Sequence, residues 1–448
     1  MPVIDFLQCN VLDVLPDWIE EVQLIVRNHE QASNIFAIYV DGSVTAKDDS
    51  IKGFLFMYDG YRVVRPGTTI MPDIIRKRNP NNPNQLTFSA AINLIGLPTA
   101  VTIEILARKA DSVAQLVAQI KVVRRSLPTS YRPKYRLIPM QTQGRSGSTW
   151  LMRLLSLHPD ILIDPRHPYE FKGAQYYINM LRALTQPSIH PNTATTSVIY
   201  RPEDHSFPPN PYYCISSEQR WAIQPLGKMF PPELANLIIR CIDQLYSMLD
   251  AELCASPKGP RKAVIFDRIL RANLFNKRRL IIEKQVTFPD LVNELYSHRK
   301  QVFLFRDPRD VICSIHSFFE KTGVSITGKT VTFSDLAFPK MIMEGFQLLW
   351  QRYIRQKDSA HRINYEHLIV NPEDELMALL RYLEVNSTSR VARKMIEKGS
   401  KRDQSSETHQ TSSSPESSTQ RWKTDLPESL QLFCSDLAGE ELSAAGYD

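Results

Sequence analysis

The first 127 residues consist of short apolar runs of strand length that are separated by turn signals. The clearest pair, residues 54–58 and 61–64, is joined by Asp59-Gly60, and Asp41-Gly42 follows another run in the same way. Asp-Gly between apolar runs is typical of a β-hairpin. Further runs cover residues 21–27, 34–40, 85–94, 100–107 and 116–123. This pattern predicts a small all-β, sandwich-like domain without a long helix.

The periodicity changes after a polar, Pro-containing linker at residues 127–133. An apolar stretch at 135–142 leads into a Gly-rich loop, after which apolar residues recur at helical spacing. We expect a strand, a loop and a helix there, although Pro139 is unfavourable in a central strand because it cannot donate to a ladder. We therefore predict an accessory domain of residues 1–130 and a second domain of residues 131–448.

The Gly-rich loop has the chemistry of an oxyanion site. Glycine at positions 144 and 147 permits turns that aim successive N–H groups into a concavity. The helix start that follows favours phosphate or sulfate through its donors and its dipole. A kinase-type P-loop, G-x-x-x-x-G-K-[ST], would place a Lys on the terminal phosphates. Here Arg145 supplies the charge instead, as a planar fork suited to bidentate contact with an oxyanion.

A second charged turn follows about 160 residues later along the chain. Residues 301–305 form a run of strand length that ends in Arg306 and a Pro-containing turn. Asp310 is predicted to cap a helix that extends to Phe319. Ser314 would then lie one turn into the helix, where a hydroxyl and an Arg form a second phosphate clamp.

The two motifs, in this order, resemble those of sulfotransferases that use 3'-phosphoadenosine 5'-phosphosulfate (PAPS). That family has a 5' motif R-S-G-[ST]-[ST] and a 3' motif R-D-P-R-D...S, and further family-like stretches lie at residues 156–160, 364–368 and 421–423. The resemblance implies an α/β, P-loop-like three-layer domain with a central parallel sheet, preceded here by the all-β domain. It implies that the first motif cradles the 5'-phosphosulfate and that the second holds the 3'-phosphate. The implied cofactor-binding residues are Gly144, Arg145, Ser146, Gly147, Ser148, Thr149, Trp150, Arg306, Ser314, Arg421, Trp422 and Lys423.

The reaction also needs a general base and an acceptor. Arg145 is expected to stabilise charge during transfer, and in this family a His or Glu beyond the first helix removes the acceptor proton. Glu170 and His167 both qualify, with Glu170 preferred and His167 second. A basic stretch at residues 258–279 is expected to face an acidic acceptor or the cofactor, or to be a solvated surface. Within it, Asp267-Arg268 is a weak counterpart of the Glu-Lys pair that often ends a strand in relatives.

Residues 405–419 contain ten Ser or Thr among fifteen residues, so they offer little apolar surface to bury. We expect a flexible loop over residues 400–420 within the second domain. Because Arg421-Trp422-Lys423 follows it, the loop is interpreted either as a lid over the nucleotide or as a plain surface loop in which Trp422 is an anchor.

The composition of the chain limits the classes of protein to which it can belong. With 448 residues, 43% hydrophobic content and a net charge of +6, the chain is typical of a globular protein that binds an anionic cofactor rather than nucleic acid. The six cysteines form no C-x-x-C pair, so neither a metal site nor a disulfide framework is predicted. No run approaches 18 apolar residues and no signal peptide is evident, which favours a cytoplasmic protein without a membrane span.

Three functions follow from these residues. The preferred one is a PAPS-dependent sulfotransferase that needs no metal and acts on a small-molecule or glycan acceptor, with a saccharide or other polar metabolite favoured. A P-loop nucleotide or sugar kinase would share the architecture but would need the missing Lys and magnesium. A non-catalytic PAPS-binding scaffold would keep both clamps and never turn over.

Overall fold

The structure is a computed structural model, and its described residues are 3–28, 36–48, 51–58, 61–62, 74–109, 114–167, 169, 171–185, 231–254, 280–284, 289–296, 300–323, 331–333, 335–399, 411–412 and 414–447. Contacts between Cα atoms divide the chain into two compact units. The first contains residues 1–132, 175–242 and 290–297, and the second contains residues 133–174, 243–289 and 298–448. The domain division at residue 130 stays a prediction.

The N-terminal part of the first unit is all-β, as the sequence predicts. One antiparallel sheet has the order β1-β9-β8-β4-β5 and the other has the order β2-β3-β7-β6. The strands are β1 Ile4–Val11, β2 Ile19–Asn28, β3 Ala37–Ala46, β4 Ile51–Tyr58, β5 Tyr61–Arg62, β6 Ile74–Asn79, β7 Asn82–Asn93, β8 Ala100–Lys109 and β9 Gln115–Arg124. A single apolar core joins the sheets, and the Phe54 and Phe88 rings meet across it with centroids 4.2 Å apart.

The two Asp-Gly signals have different outcomes. Strands β4 and β5 pair with Tyr58 opposite Tyr61, as the predicted hairpin requires, and the Asp-Gly pair between them lies outside the described residues. The second signal was wrong, because β3 runs straight through Asp41 and Gly42. A Cβ on Gly42 would lie 2.5 Å from Leu24 and 2.8 Å from Phe88, so glycine serves close packing there instead of a turn.

The second unit contains a parallel sheet in the order β11-β12-β10-β13-β14. Its strands are β10 Arg136–Thr142, β11 Ile161–Leu162, β12 Leu280–Lys284, β13 Gln301–Phe305 and β14 Ala360–Asn364. The sequence prediction of an α/β part with a central parallel sheet is therefore confirmed. Pro139 lies within the central strand, opposite Glu283 of β12 and one residue before β10 begins to pair with β13 at Met140.

The helices are numbered in chain order over the described residues: α1 Ser148–Ser156, α2 Gly173–Leu184, α3 Pro231–Cys254, α4 Pro289–Leu295, α5 Pro308–Thr322, α6 Ala337–Gln356, α7 Tyr365–Val370, α8 Pro372–Tyr382, α9 Ser389–Gly399, α10 Trp422–Asp425 and α11 Glu428–Ala444. Helix α1 follows β10 and α5 follows β13, so both helices begin at the carboxyl edge of the sheet. Two apolar clusters pack around the sheet, one with α1, α8 and α9 and the other with α5, α6 and α11. Among the described residues, no helix has the length and apolar character needed to cross a membrane.

Candidate functional site

The Gly-rich loop joins β10 to α1 through two left-handed backbone positions. Arg145 has φ 65° and Gly147 has φ 80°. A Cβ on Gly147 would lie 2.3 Å from the Tyr365 ring, so this position needs glycine for both its torsion and its contact. Gly144 also lies in a turn, but its φ is not positive and no atom lies within 4 Å of a Cβ there, so this position does not itself require glycine. The loop therefore ends at Gly147, the N-cap of α1, whose backbone packs closely against the Tyr365 ring.

The first turn of α1 follows the predicted phosphate motif directly. The helix begins at Ser148, and Gly147 is its N-cap, so the amides of Ser148, Thr149 and Trp150 lie in the first turn, which has no intrahelical acceptors. The side chains of Ser146 and Ser148 are buried, and Trp150 packs against the apolar core. The backbone of this motif is thus arranged as an oxyanion site requires.

The residues of the second predicted clamp lie at the carboxyl end of β13, with one correction to the helix cap. Asp307, not Asp310, caps α5, because its side chain accepts from the Arg309 backbone N–H at 2.9 Å and Pro308 occupies the first helical position. The helix also extends past Phe319 to Thr322. The Asp307 backbone N–H in turn donates to Glu366 at 3.0 Å, which fixes the turn after Arg306.

The two motifs meet in direct contact. The Arg145 Nε donates to the Ser314 Oγ at 3.2 Å, and the Arg145 Nη2 donates to the Thr411 Oγ1 at 3.3 Å. The two hydroxyls are 3.0 Å apart, so one guanidinium and two hydroxyls converge on one point. The Phe318 ring lies 5.0 Å from the same guanidinium and covers it on one side. The sequence separates these motifs widely, and the fold makes them one cluster.

Arg306 contacts the same cluster through the backbone of the Gly-rich loop. Its Nη1 donates to the Arg145 carbonyl at 2.7 Å and its Nη2 to the Ser418 carbonyl at 2.5 Å. The Tyr365 ring lies 4.8 Å from the guanidinium, and the Tyr365 hydroxyl is 2.9 Å from the Ser418 Oγ. The Arg306 Nε is buried with no hydrogen-bond partner in the described structure, as expected of a donor that awaits an anion.

The electrostatics also fit an anion. Burial and the neighbouring Arg306 charge lower the pKa of Arg145 to about 10, which still leaves Arg145 charged at neutral pH. Two guanidinium groups held together in a partly buried site repel each other, and an oxyanion between them relieves both the repulsion and the desolvation. Within the described part of the chain, no group of three or more His, Cys, Asp or Glu residues could hold a metal ion.

Arg421, Trp422 and Lys423, which are predicted to bind the cofactor, make different contacts in the structure. Arg421 reaches the cluster, since it donates to the Ser317 hydroxyl at 2.9 Å and to the Thr411 carbonyl at 3.0 Å. The Trp422 ring lies 3.6 Å from the Arg309 guanidinium, and Lys423 is exposed beside that ring at 5.5 Å. Arg309 also pairs with Asp307 and donates to the Tyr447 carbonyl. The Trp422 ring thus stacks on the Arg309 guanidinium, and the choice between a lid and an anchor stays a prediction.

The base candidates lie in the segment after β11. His167 packs edge to face against Tyr169, with ring centroids 6.3 Å apart. The loop before it is held by Arg166, which donates to both carboxylate oxygens of Asp164. Glu170 lies outside the described residues, as do the basic stretch at 258–279, Asp267-Arg268 and residues 400–410 of the Ser/Thr-rich loop. The choice between Glu170 and His167 stays a prediction.

Some site residues were missed at the level of sequence. Tyr365 and Glu366 belong to the family-like stretch at 364–368, to which no role was given, and they support Gly147, Arg306 and Asp307.

A profile of the sulfotransferase family matches residues 142–389. A sulfotransferase domain from the curacin biosynthetic pathway is similar at 16% identity, with 71% of this chain and 99% of that chain covered and a TM-score of 0.36. A mouse sulfotransferase, SULT7A1, complexed with PAP is similar at 11% identity, with coverage of 70% and 86% and a TM-score of 0.35. A sulfotransferase from Mycobacterium avium, STF9, gives 11% identity, coverage of 70% and 77% and a TM-score of 0.32. The comparison with curated proteins found no significant match.

Proposed function

Because the chain belongs to the sulfotransferase family, we propose that it moves the sulfuryl group of PAPS to an acceptor hydroxyl. The observation that carries this proposal is the convergence of Arg145, Arg306 and Ser314, which come from two motifs of different sequence position but meet within hydrogen-bond distance. A site of two guanidinium groups, a hydroxyl and a helix start suits a ligand with several anionic groups.

The donor is assigned to the two motifs on the basis of their contacts. The loop before α1 would hold the 5'-phosphosulfate through its backbone amides and Arg145. Arg306 and Ser314 would hold the 3'-phosphate, and the unpartnered Arg306 Nε supplies a donor for it. Arg421 would contribute from the C-terminal segment, where it already contacts Ser317 on α5.

The reaction is an in-line displacement at sulfur. The acceptor oxygen forms a bond to sulfur while the bond from sulfur to the 5'-phosphate oxygen breaks, and 3'-phosphoadenosine 5'-phosphate (PAP) leaves. Charge accumulates on the peripheral and bridging oxygens, so the protein acts mainly by positioning and by charge stabilisation from Arg145. Glu170 or His167 accepts the proton of the acceptor hydroxyl. The donor chemistry needs no metal.

The acceptor is proposed to be a saccharide or another polar metabolite. The basic stretch at residues 258–279 and the attached all-β region support this choice, because the first suits acidic groups and the second offers a further binding surface. The location is proposed to be cytoplasmic.

Titration calorimetry tests the donor assignment. The protein is titrated with PAP and with ATP, and the same is done for the Arg306→Ala, Ser314→Ala double variant. Arg393→Ala is the matched control, because Arg393 on α9 is exposed and its ion pair with Glu373 on α8 lies outside both motifs. We expect tight PAP binding that the double variant loses and the control keeps, with weak ATP binding.

Turnover is tested with PAPS and a panel of saccharide and small-molecule alcohols, with PAP release as the readout. PAP binding without release for any acceptor would favour the scaffold function. If the protein prefers ATP and transfers a phosphoryl group in a magnesium-dependent reaction, it is a kinase and the proposal is wrong.

A further inference from the structure

Asp310 occupies an unusual position on the helix that carries Ser314. Its carboxylate is fully buried, and both oxygens accept backbone N–H groups from a segment more than 100 residues later. The Oδ2 accepts from Gln420 at 2.7 Å and the Oδ1 from Trp422 at 3.0 Å. The Asp310 carboxylate thereby connects α5 to the backbone of the C-terminal segment at Gln420 and Trp422.

The segment that Asp310 holds, residues 418–422, also supplies groups to the oxyanion cluster. The Ser418 carbonyl accepts from Arg306 at 2.5 Å. Arg421 holds the Thr411 carbonyl at 3.0 Å, and the Thr411 hydroxyl contacts Ser314. If the segment moved away from α5, Arg306 would lose an acceptor and Arg421 would leave Ser317.

We propose that Asp310 is a positioning residue for nucleotide binding, which docks residues 418–422 on α5 and so fixes Arg306 and Arg421 in their binding geometry. This inference rests on the proposed function for its nucleotide and adds a role that neither motif implies. Asp310 itself does not touch the nucleotide in this assignment. Its effect passes through the carbonyl of Ser418 and the guanidinium of Arg421.

The charge of Asp310 matters because both oxygens of an ionised carboxylate are acceptors only, whereas a protonated carboxyl also carries an O–H donor that needs a partner of its own. The charged groups that act on it are Asp307, which caps its helix, and Arg306 at the end of β13. The buried Cys313 thiol lies on the same helix. Burial and Asp307 raise the pKa of Asp310 to about 6, so the carboxylate is ionised at neutral pH. An Asn there would offer one acceptor and aim an NH₂ group at the second N–H, which leaves a buried donor unsatisfied.

Hydrogen exchange and nucleotide affinity test the proposal together in the full-length chain. The variants are Asp310→Asn and Asp310→Ala. The matched control is Asp335→Asn, because Asp335 also accepts a backbone N–H, that of Ala337 at 2.9 Å, but is exposed. Exchange is followed by mass spectrometry for residues 419–423 and for α6, and PAP affinity is measured by calorimetry.

We expect both Asp310 variants to exchange at least tenfold faster at residues 420 and 422 while α6 stays protected. We expect the Kd for PAP to rise about tenfold or more and the KM for PAPS to rise more than kcat falls, with no change in the control. Unchanged exchange, or faster exchange with unchanged PAP affinity, would overturn the proposal. Loss of protection throughout α6 would also overturn it, since Asp310 would then support the fold at large.

The two proposals fail in different ways. A wild-type protein that binds no PAP refutes the proposed function, and the nucleotide role of Asp310 falls with it. The exchange of residues 420 and 422 still shows in that case whether Asp310 holds the segment.

Discussion

Arg145 and Ser314 lie 169 residues apart in the chain and are joined by a hydrogen bond of 3.2 Å from Nε to Oγ. Arg145 belongs to the loop before α1, and Ser314 belongs to the helix after β13. Because parallel strands β10 and β13 are neighbours, their carboxyl ends bring the loop and the helix together. The two motifs that the sequence predicts as separate phosphate clamps therefore contact each other in the fold.

Replacement of Arg145 should affect the chemical step most. Arg145→Ala removes a donor aimed at charge that develops during transfer, which typically costs about 2.7–4 kcal/mol of barrier, or roughly a hundredfold to a thousandfold in rate. Steady-state kcat/KM with PAPS measures the loss, and Arg393→Ala serves as the exposed control. Arg145→Lys keeps the charge but not the planar fork, so it should recover only part of the rate. A rate within threefold of wild type for Arg145→Ala would remove Arg145 from the site.

Gly147 should be the glycine of the loop that cannot be replaced. Gly147→Ala places a methyl group 2.3 Å from the Tyr365 ring at φ 80°, and left-handed strain alone costs about 1–3 kcal/mol. Thermal unfolding should show a lower Tm for this variant. Gly144→Ala is the paired control for stability, because nothing lies within 4 Å of its Cβ. Equal Tm values for the two variants would contradict the geometry of the loop.

Replacement of the general base should lower turnover without changing the affinity for PAP. Glu170→Gln removes a proton acceptor with little change in shape, and the loss of general-base catalysis typically lowers kcat by about a hundredfold to ten-thousandfold. PAP affinity, measured by calorimetry, should stay unchanged. His167→Gln is tested in parallel, and the variant with the larger loss of kcat identifies the base. Full turnover in both variants would place the base elsewhere in the chain.

Asp310 should make the stability of the second unit depend on pH. Its pKa is raised to about 6 in the folded protein, so between about pH 4 and 6 the folded state holds a proton that the unfolded chain has released. The stability that protonated Asp310 contributes is thus complete below pH 4 and is lost as pH rises through about 6. A shift of roughly two pKa units corresponds to on the order of 2–3 kcal/mol.

Urea unfolding at pH 4 and pH 7 checks this dependence. The free energy of unfolding of the wild-type protein should fall relative to that of Asp310→Asn, which does not titrate, as the pH rises. A difference between the two proteins that is the same at both pH values would show that Asp310 has an ordinary pKa.

Local patterns were sufficient for the elements that depend on nearby residues. The strand at β10, the loop, the helix α1 and the turn at Arg306 follow from apolar runs, Gly spacing and charge. The capping residue of α5 was misassigned because Asp307 and Asp310 are both good caps. The decisive signal was Pro308, which favours the first helical position and so points to Asp307.

Contacts between distant segments could not be predicted in this way. Nothing in the sequence near Gly42 indicates that Leu24 and Phe88 pack against it, so its Asp-Gly pair resembles a turn. The same limit applies to Ser418 and Thr411, which lie in a stretch of low apolar content. Their partners are set by the tertiary fold, through Asp310 and Arg421, and not by local propensity.

The hydrogen bond from Arg306 to the Ser418 carbonyl has a consequence for the growing chain on the ribosome. The two residues are 112 positions apart, and translation proceeds at about 5–20 residues per second. Arg306 is therefore synthesised about 6–22 seconds before its acceptor. During that interval the nascent protein lacks the Ser418 acceptor of Arg306, so the proposed nucleotide site cannot be complete until residue 418 has been synthesised.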